Sequence, residues 1–61
     1  MWKVRVHTLY GDVFTHSTEA SEQHAERMAV SLCQGRDVAR SPDDGAYYPN
    51  HRIFRVWIEK K

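Results

Sequence analysis

The sequence predicts an α+β fold: a two-layer ββαβ domain whose three-stranded, mainly antiparallel sheet, in the order 2-1-3, packs on one helix. Three observations carry that expectation. Within residues 2–8, apolar Trp2, Val4 and Val6 alternate strictly with polar Lys3, Arg5 and His7. Residues 19–34 lack Gly and Pro and place Ala25, Met28, Ala29 and Leu32 on one helical face. Residues 53–58 alternate again, and five of those six are apolar.

Length and composition narrow the class before any motif is read. The chain has 61 residues, enough for one small domain spanning 1–61. A domain of this size buries only about 60% of its unfolded surface, so its stability margin is thin. Apolar residues make up 41% and charged residues 28%, which excludes a disordered composition. No apolar run approaches membrane-spanning length, and the first residues lack the basic-then-apolar pattern of a signal peptide. Cys33 is the single cysteine, so no internal disulfide can form. A secreted domain this small would normally carry such staples, and a cytoplasmic protein without a membrane partner is expected. The net charge of +1 conceals an asymmetry. Residues 1–9 and 52–61 are basic, whereas residues 12–44 hold seven acids against Arg27, Arg36 and Arg40. The fold should therefore have a positive side and a negative side.

The first strand, residues 2–9, turns Trp2, Val4 and Val6 inward and Lys3, Arg5 and His7 outward. Gly11 marks a tight turn into a second strand over 12–16. Two registers compete there. A two-residue Gly11-Asp12 turn places Phe14 beside Leu9 on the outer side. A three-residue Leu9-Tyr10-Gly11 loop, with Gly11 left-handed, places Phe14 beside Val6 in the core. The second is favoured because a tiny core needs the phenylalanine. Ser17 or Thr18 can cap a helix over 18–34, with Glu19 and Glu22 near its positive end and Gly35 as its stop. Residues 35–51 read as a long loop around the turn signal Ser41-Pro42-Asp43-Asp44-Gly45. Within it, Ala46-Tyr47-Tyr48 forms either a short strand against Val38-Ala39-Arg40 or simply loop. The last strand covers 52–59, with Phe54, Val56 and Ile58 toward the core and Ile53, Arg55 and Trp57 outward. A right-handed crossover then makes the first strand central.

With one helix and three strands, one sheet face stays wet. Its expected members are Lys3, Arg5, His7, Ile53, Arg55 and Trp57, with Val13 and Thr15 from the second strand. Trp and Arg are the residues most enriched at binding hot spots, so this face is the expected partner-binding surface. Tyr47 and Tyr48, following an acidic turn, are the second candidate contact. The plainer alternative is that Trp57 lies flat over its neighbours beneath Arg5 or Arg55, and that one tyrosine lids the core. The same basic and aromatic face could take nucleic acid, although the glycine-containing aromatic signature of the common RNA-binding sheet is missing. Pairing with a second copy through this face is the third reading.

Catalysis and metal chemistry are not expected. His7, His16, His24 and His51 show no ligand spacing, and Cys33 has no cysteine partner, so neither metal nor cofactor is indicated. Near a helix C-terminus Cys33 is also poorly placed to be a thiolate. The succession of strand, glycine turn, strand and a helix containing Thr18-Glu19-Ala20-Ser21-Glu22 and His24-Ala25-Glu26-Arg27-Met28-Ala29 resembles small orphan proteins of bacteriophage genomes. That resemblance covers residues 2–34 and implies a non-catalytic cytosolic protein that binds and redirects a host protein.

Overall fold

β1 (Trp2–Thr8) is the central strand, flanked on both sides by antiparallel neighbours, in a computed structural model that describes residues 1–60. Its partners are β2 (Val13–Glu19) and β5 (Ile53–Lys60), which gives the sheet order β2-β1-β5. One helix, α1 (Glu22–Cys33), packs on the sheet, and β3 (Ala39–Arg40) and β4 (Tyr47–Tyr48) make a separate small hairpin. The α+β class and the sheet order are those the sequence predicts.

The hairpin between β1 and β2 takes the three-residue register. The Gly11 amide donates to the Thr8 carbonyl at 3.1 Å, and Gly11 itself has φ +92°, a conformation that a β-carbon would strain. The Thr8 hydroxyl, almost fully buried, accepts from the amides of Tyr10 and Asp12 at 3.2 and 3.3 Å and so closes the turn. Val6 consequently faces Phe14, and both are buried.

The second strand runs three residues beyond the expected end at 16. Trp2, Lys3 and Val4 of β1 pair with Glu19, Thr18 and Ser17, and stopping β2 earlier would leave the backbone of β1 unpaired on that side. Ser17 and Thr18, the residues that could have opened a helix, are also acceptable in a strand, and the ladder decides. One residue, His16, is left over between Ser17 opposite Val4 and Thr15 opposite Arg5, so β2 carries a bulge there.

The helix therefore starts later than expected. Ser21, extended at φ −129° and ψ 153°, is its N-cap, and its hydroxyl accepts from the His24 amide at 3.2 Å. Ser17 and Thr18 are strand residues, and Glu22 alone is acidic in the first turn. At the other end Gly35, at φ +77°, sends its amide to the Leu32 carbonyl, while the Arg36 amide reaches the Ser31 carbonyl at 2.9 Å. This is a Schellman closure. Asn50 completes it: its side-chain amide donates to the carbonyls of Leu32 and Cys33 at 2.8 and 3.0 Å. Asn50→Ala should lower stability by about 1–2 kcal/mol, because it removes the side-chain donor shared by the Leu32 and Cys33 carbonyls. A urea titration followed by far-UV circular dichroism reads that loss as a lower midpoint with an unchanged slope.

Residues 35–51 are not one structureless loop. β3 and β4 pair Ala39 with Tyr48 and Arg40 with Tyr47, closed by hydrogen bonds between Ser41 and Ala46 and from the Gly45 amide to the Ser41 carbonyl. Ala39 is fully buried, so the hairpin extends the core beyond the helix. The core cluster is Val4, Val6, Phe14, Ala25, Leu32 and Ala39, with Trp2, Met28, Tyr48, Ile53, Val56 and Ile58 packed around it. Cys33, next to the buried Leu32, is exposed.

Candidate functional site

The open sheet face is laid out in three cross-strand rows. Thr18, Lys3 and Glu59 form one; Thr15, Arg5 and Trp57 the next; Val13, His7 and Arg55 the third. Each row spans all three strands because period-two alternation and antiparallel register put opposed residues on the same face.

A second bulge changes the membership of the third row. Thr8 and Val6 lie two apart on β1 and both face the core, yet they pair with Ile53 and Val56, which lie three apart. One residue of β5 must be extruded, and it is Phe54. Two expectations are thereby reversed. Ile53, placed on the outer face by strict alternation, packs against the core, and Phe54, placed in the core, is 65% exposed. The extruded ring meets His7 edge-on, with centroids 5.3 Å apart, and Val13 across the row is 45% exposed.

Trp57 is half-buried and held from two sides. The Arg55 guanidinium lies 4.5 Å from the centroid of the indole, and the indole Nε1–H donates to Glu59 Oε1 at 2.9 Å. The cation–π arrangement foreseen as the plainer alternative is thus present, with Arg55 as the cation. Arg5, opposite Trp57, is fixed from the other side: its Nη1 donates to Thr15 Oγ1 at 2.8 Å, while its buried Nε has no acceptor. Lys3, Arg5, His7, Arg55 and Trp57 are thus brought together on one face, joined by Phe54.

Tyr47 and Tyr48 are not part of it. Tyr48 packs on Phe14 at 5.6 Å and on Tyr10 at 6.4 Å, and so lids the core end of the hairpin. Partial withdrawal from water, reinforced by the charges of Asp12 and Asp44, raises its phenol above the ordinary tyrosine value of 10.0. Tyr47 is 66% exposed, with Arg40 5.9 Å from its ring centroid. These contacts tie Tyr48 to the core and Tyr47 to the hairpin.

Other surface features lie away from this face. A shallow depression of about 520 Å³ runs along the outside of α1, lined by Gln23, Arg27, Val30 and Gln34 among others. A smaller one of about 160 Å³ sits between Asp12, Asp43, Asp44 and Tyr48. Among the described residues no three His, Cys, Asp or Glu side chains converge as a metal-holding group, and no helix is long and apolar enough to cross a membrane.

Phe54 is the member of the site that alternation misses. The signal is in the composition of the strand: five apolar residues in six exceed the three that one core face takes, so two lie outside, Trp57 and one of Ile53 and Phe54. Which one depended on the bulge. In comparisons with family models, curated proteins and solved structures, the chain matches none.

Proposed function

We propose that this chain is a non-catalytic protein-binding module that docks through its open sheet face onto a partner surface combining acidic and apolar groups. The observation that carries the reading is Phe54. A bulge in β5 places this ring 65% exposed on a face whose charged members Lys3, Arg5 and Arg55 are basic, with Glu59 at one corner. The core gains nothing from a phenylalanine there, whereas an exposed aromatic among arginines has the composition of a binding hot spot. Arg5 is held in place by Thr15 and Trp57 by Glu59, so little side-chain entropy remains to be lost on docking. A modulator that redirects a host protein would act through such a surface.

Phe54→Ser combined with Lys3→Glu tests the reading, since neither residue is in the core. Affinity capture from cell lysate with the wild-type chain should recover a partner, and calorimetry on the purified pair should show the double variant binding about 30-fold or more weakly. Unchanged affinity, with circular dichroism showing an intact fold, would remove the open face as the docking site.

The second aromatic also favours a second reading, nucleic-acid binding, because Phe54 and Trp57 could each stack a base on a basic sheet. Titration of labelled single-stranded oligonucleotides separates the two: phosphate-driven binding must fall steeply between low and moderate salt.

A further inference from the structure

We infer that the outer edge of β5 pairs antiparallel with β5 of a second copy, in the register that sets Trp57 against its own symmetry mate. The inference concerns the sheet edge and stands independently of what docks on the face.

β5 is the last strand of the sheet order, and among the described residues nothing pairs with its outer side. The opposite edge differs. β2 is bulged at His16, and the His16 ring accepts from the Arg40 backbone amide at 3.2 Å, which ties the bulge to the β3–β4 hairpin. Bulges and covering segments are how a sheet blunts an edge against association. β5 is bulged only at Phe54; from Arg55 to Lys60 it pairs with β1 in unbroken register. A regular edge five to six residues long is therefore left bare.

The side chains on that stretch are self-complementary. Along the open face it reads Arg55, Trp57, Glu59: a cation, an aromatic and an anion at every second position. Turned end for end about a two-fold axis at Trp57, the same strand presents Glu59, Trp57, Arg55. Arg55 of each copy then opposes Glu59 of the other, and the two indoles face each other between the charge pairs. On the helix side, Val56 opposes Ile58 of the mate in both directions. Both residues pack against the core and are only partly buried, so a strand added beside them would cover them further.

Other two-fold registers lose this match. Centring on Val56 or Ile58 sets one charge against the indole and leaves the other without its counter-charge, and centring on Arg55 or Glu59 sets like charges against each other. Only the Trp57-centred register satisfies both charges and both apolar positions. The product is a six-stranded sheet with both helices on one side and the two open faces continuous on the other.

Sedimentation equilibrium of the intact chain over a wide concentration range tests this. The wild type should show a monomer–dimer equilibrium. Arg55→Glu, at an exposed position, opposes carboxylates at both ends of the ladder and should weaken the dimer by at least about tenfold. The exchanged variant Arg55→Glu with Glu59→Arg restores opposite charges in the same register and should recover dimerisation to within a few-fold of wild type. Circular dichroism confirms that each variant is folded. A chain that is monomeric at every concentration overturns the inference and leaves the edge to a different strand. So does a dimer indifferent to Arg55→Glu, or an exchanged variant as weak as the single one.

Discussion

Replacing Phe14 by alanine should cost about 3–5 kcal/mol, a loss comparable to the whole stability of about 3–9 kcal/mol that a chain of this length commands. Phe14 is 5% exposed, faces Val6 across the ladder and supports the Tyr48 ring at 5.6 Å. Truncation therefore opens a cavity where the sheet, the β1–β2 turn and the β3–β4 hairpin meet. A thermal melt followed by circular dichroism should show the variant unfolded, or partly unfolded, under conditions where the wild type is native. A second readout is local. In the wild type the phenol of Tyr48 is raised above 10.0 by desolvation first and by Asp12 and Asp44 next. The folded chain holds that proton more tightly than the unfolded chain does. Its contribution to stability is therefore complete below pH 10 and declines as the pH climbs through the raised value. In whatever fraction of Phe14→Ala stays folded, the ring loses its apolar support, and ultraviolet titration should show Tyr48 ionising nearer the ordinary tyrosine value.

Leu32→Ala should cost about 2–5 kcal/mol. Leu32 is fully buried and is the largest wholly buried side chain that α1 contributes, since its other such residue is Ala25. The stripe on this helix is narrow, so no neighbour can take over the contact. In a urea titration the midpoint should fall sharply, whereas Cys33→Ser, one position along and exposed, should leave it nearly unchanged. Equal effects at the two positions would contradict the helix phase described above.

Much of the fold is legible from local chemistry. The alternation in residues 2–8, the glycine at 11 and the helical spacing from Ala25 to Leu32 each admit one economical structure. The choice between hairpin registers was also within reach, because only one of them buries Phe14. The misjudged boundaries share a different cause. Ser17 and Thr18 are good caps and acceptable strand residues, and local preference cannot rank those options. The pairing demand of Trp2–Val4, some fifteen residues away, ranks them. The stretch 35–51 stays open between a strand pair and a loop for the same reason: the strand alternative holds because β3 and β4 pair with each other and bury Ala39 against the rest.

The candidate site divides the same way. Lys3, Arg5, His7, Arg55 and Trp57 could be assigned to one face from period-two alternation, since that period is a property of the extended backbone. Ile53 and Phe54 could not. Their sides depend on where β5 enters the sheet, and that is set by distant contacts: the Leu9 amide on the Arg52 carbonyl at 2.9 Å, and Ile53 opposite the buried Thr8. A bulge shifts the phase by one residue without leaving a mark in composition.

The sequence by itself determined the class of fold, the central place of the first strand, the hairpin register and a basic face bearing a tryptophan. Hydrophobic periodicity and turn stereochemistry act over a few residues and can be read from a few residues. Tertiary structure decided the length of β2, the late start of α1, the β3–β4 hairpin and the extrusion of Phe54. Each of those outcomes satisfies backbone groups or buries side chains contributed by another segment, so no single stretch of the chain contains the information.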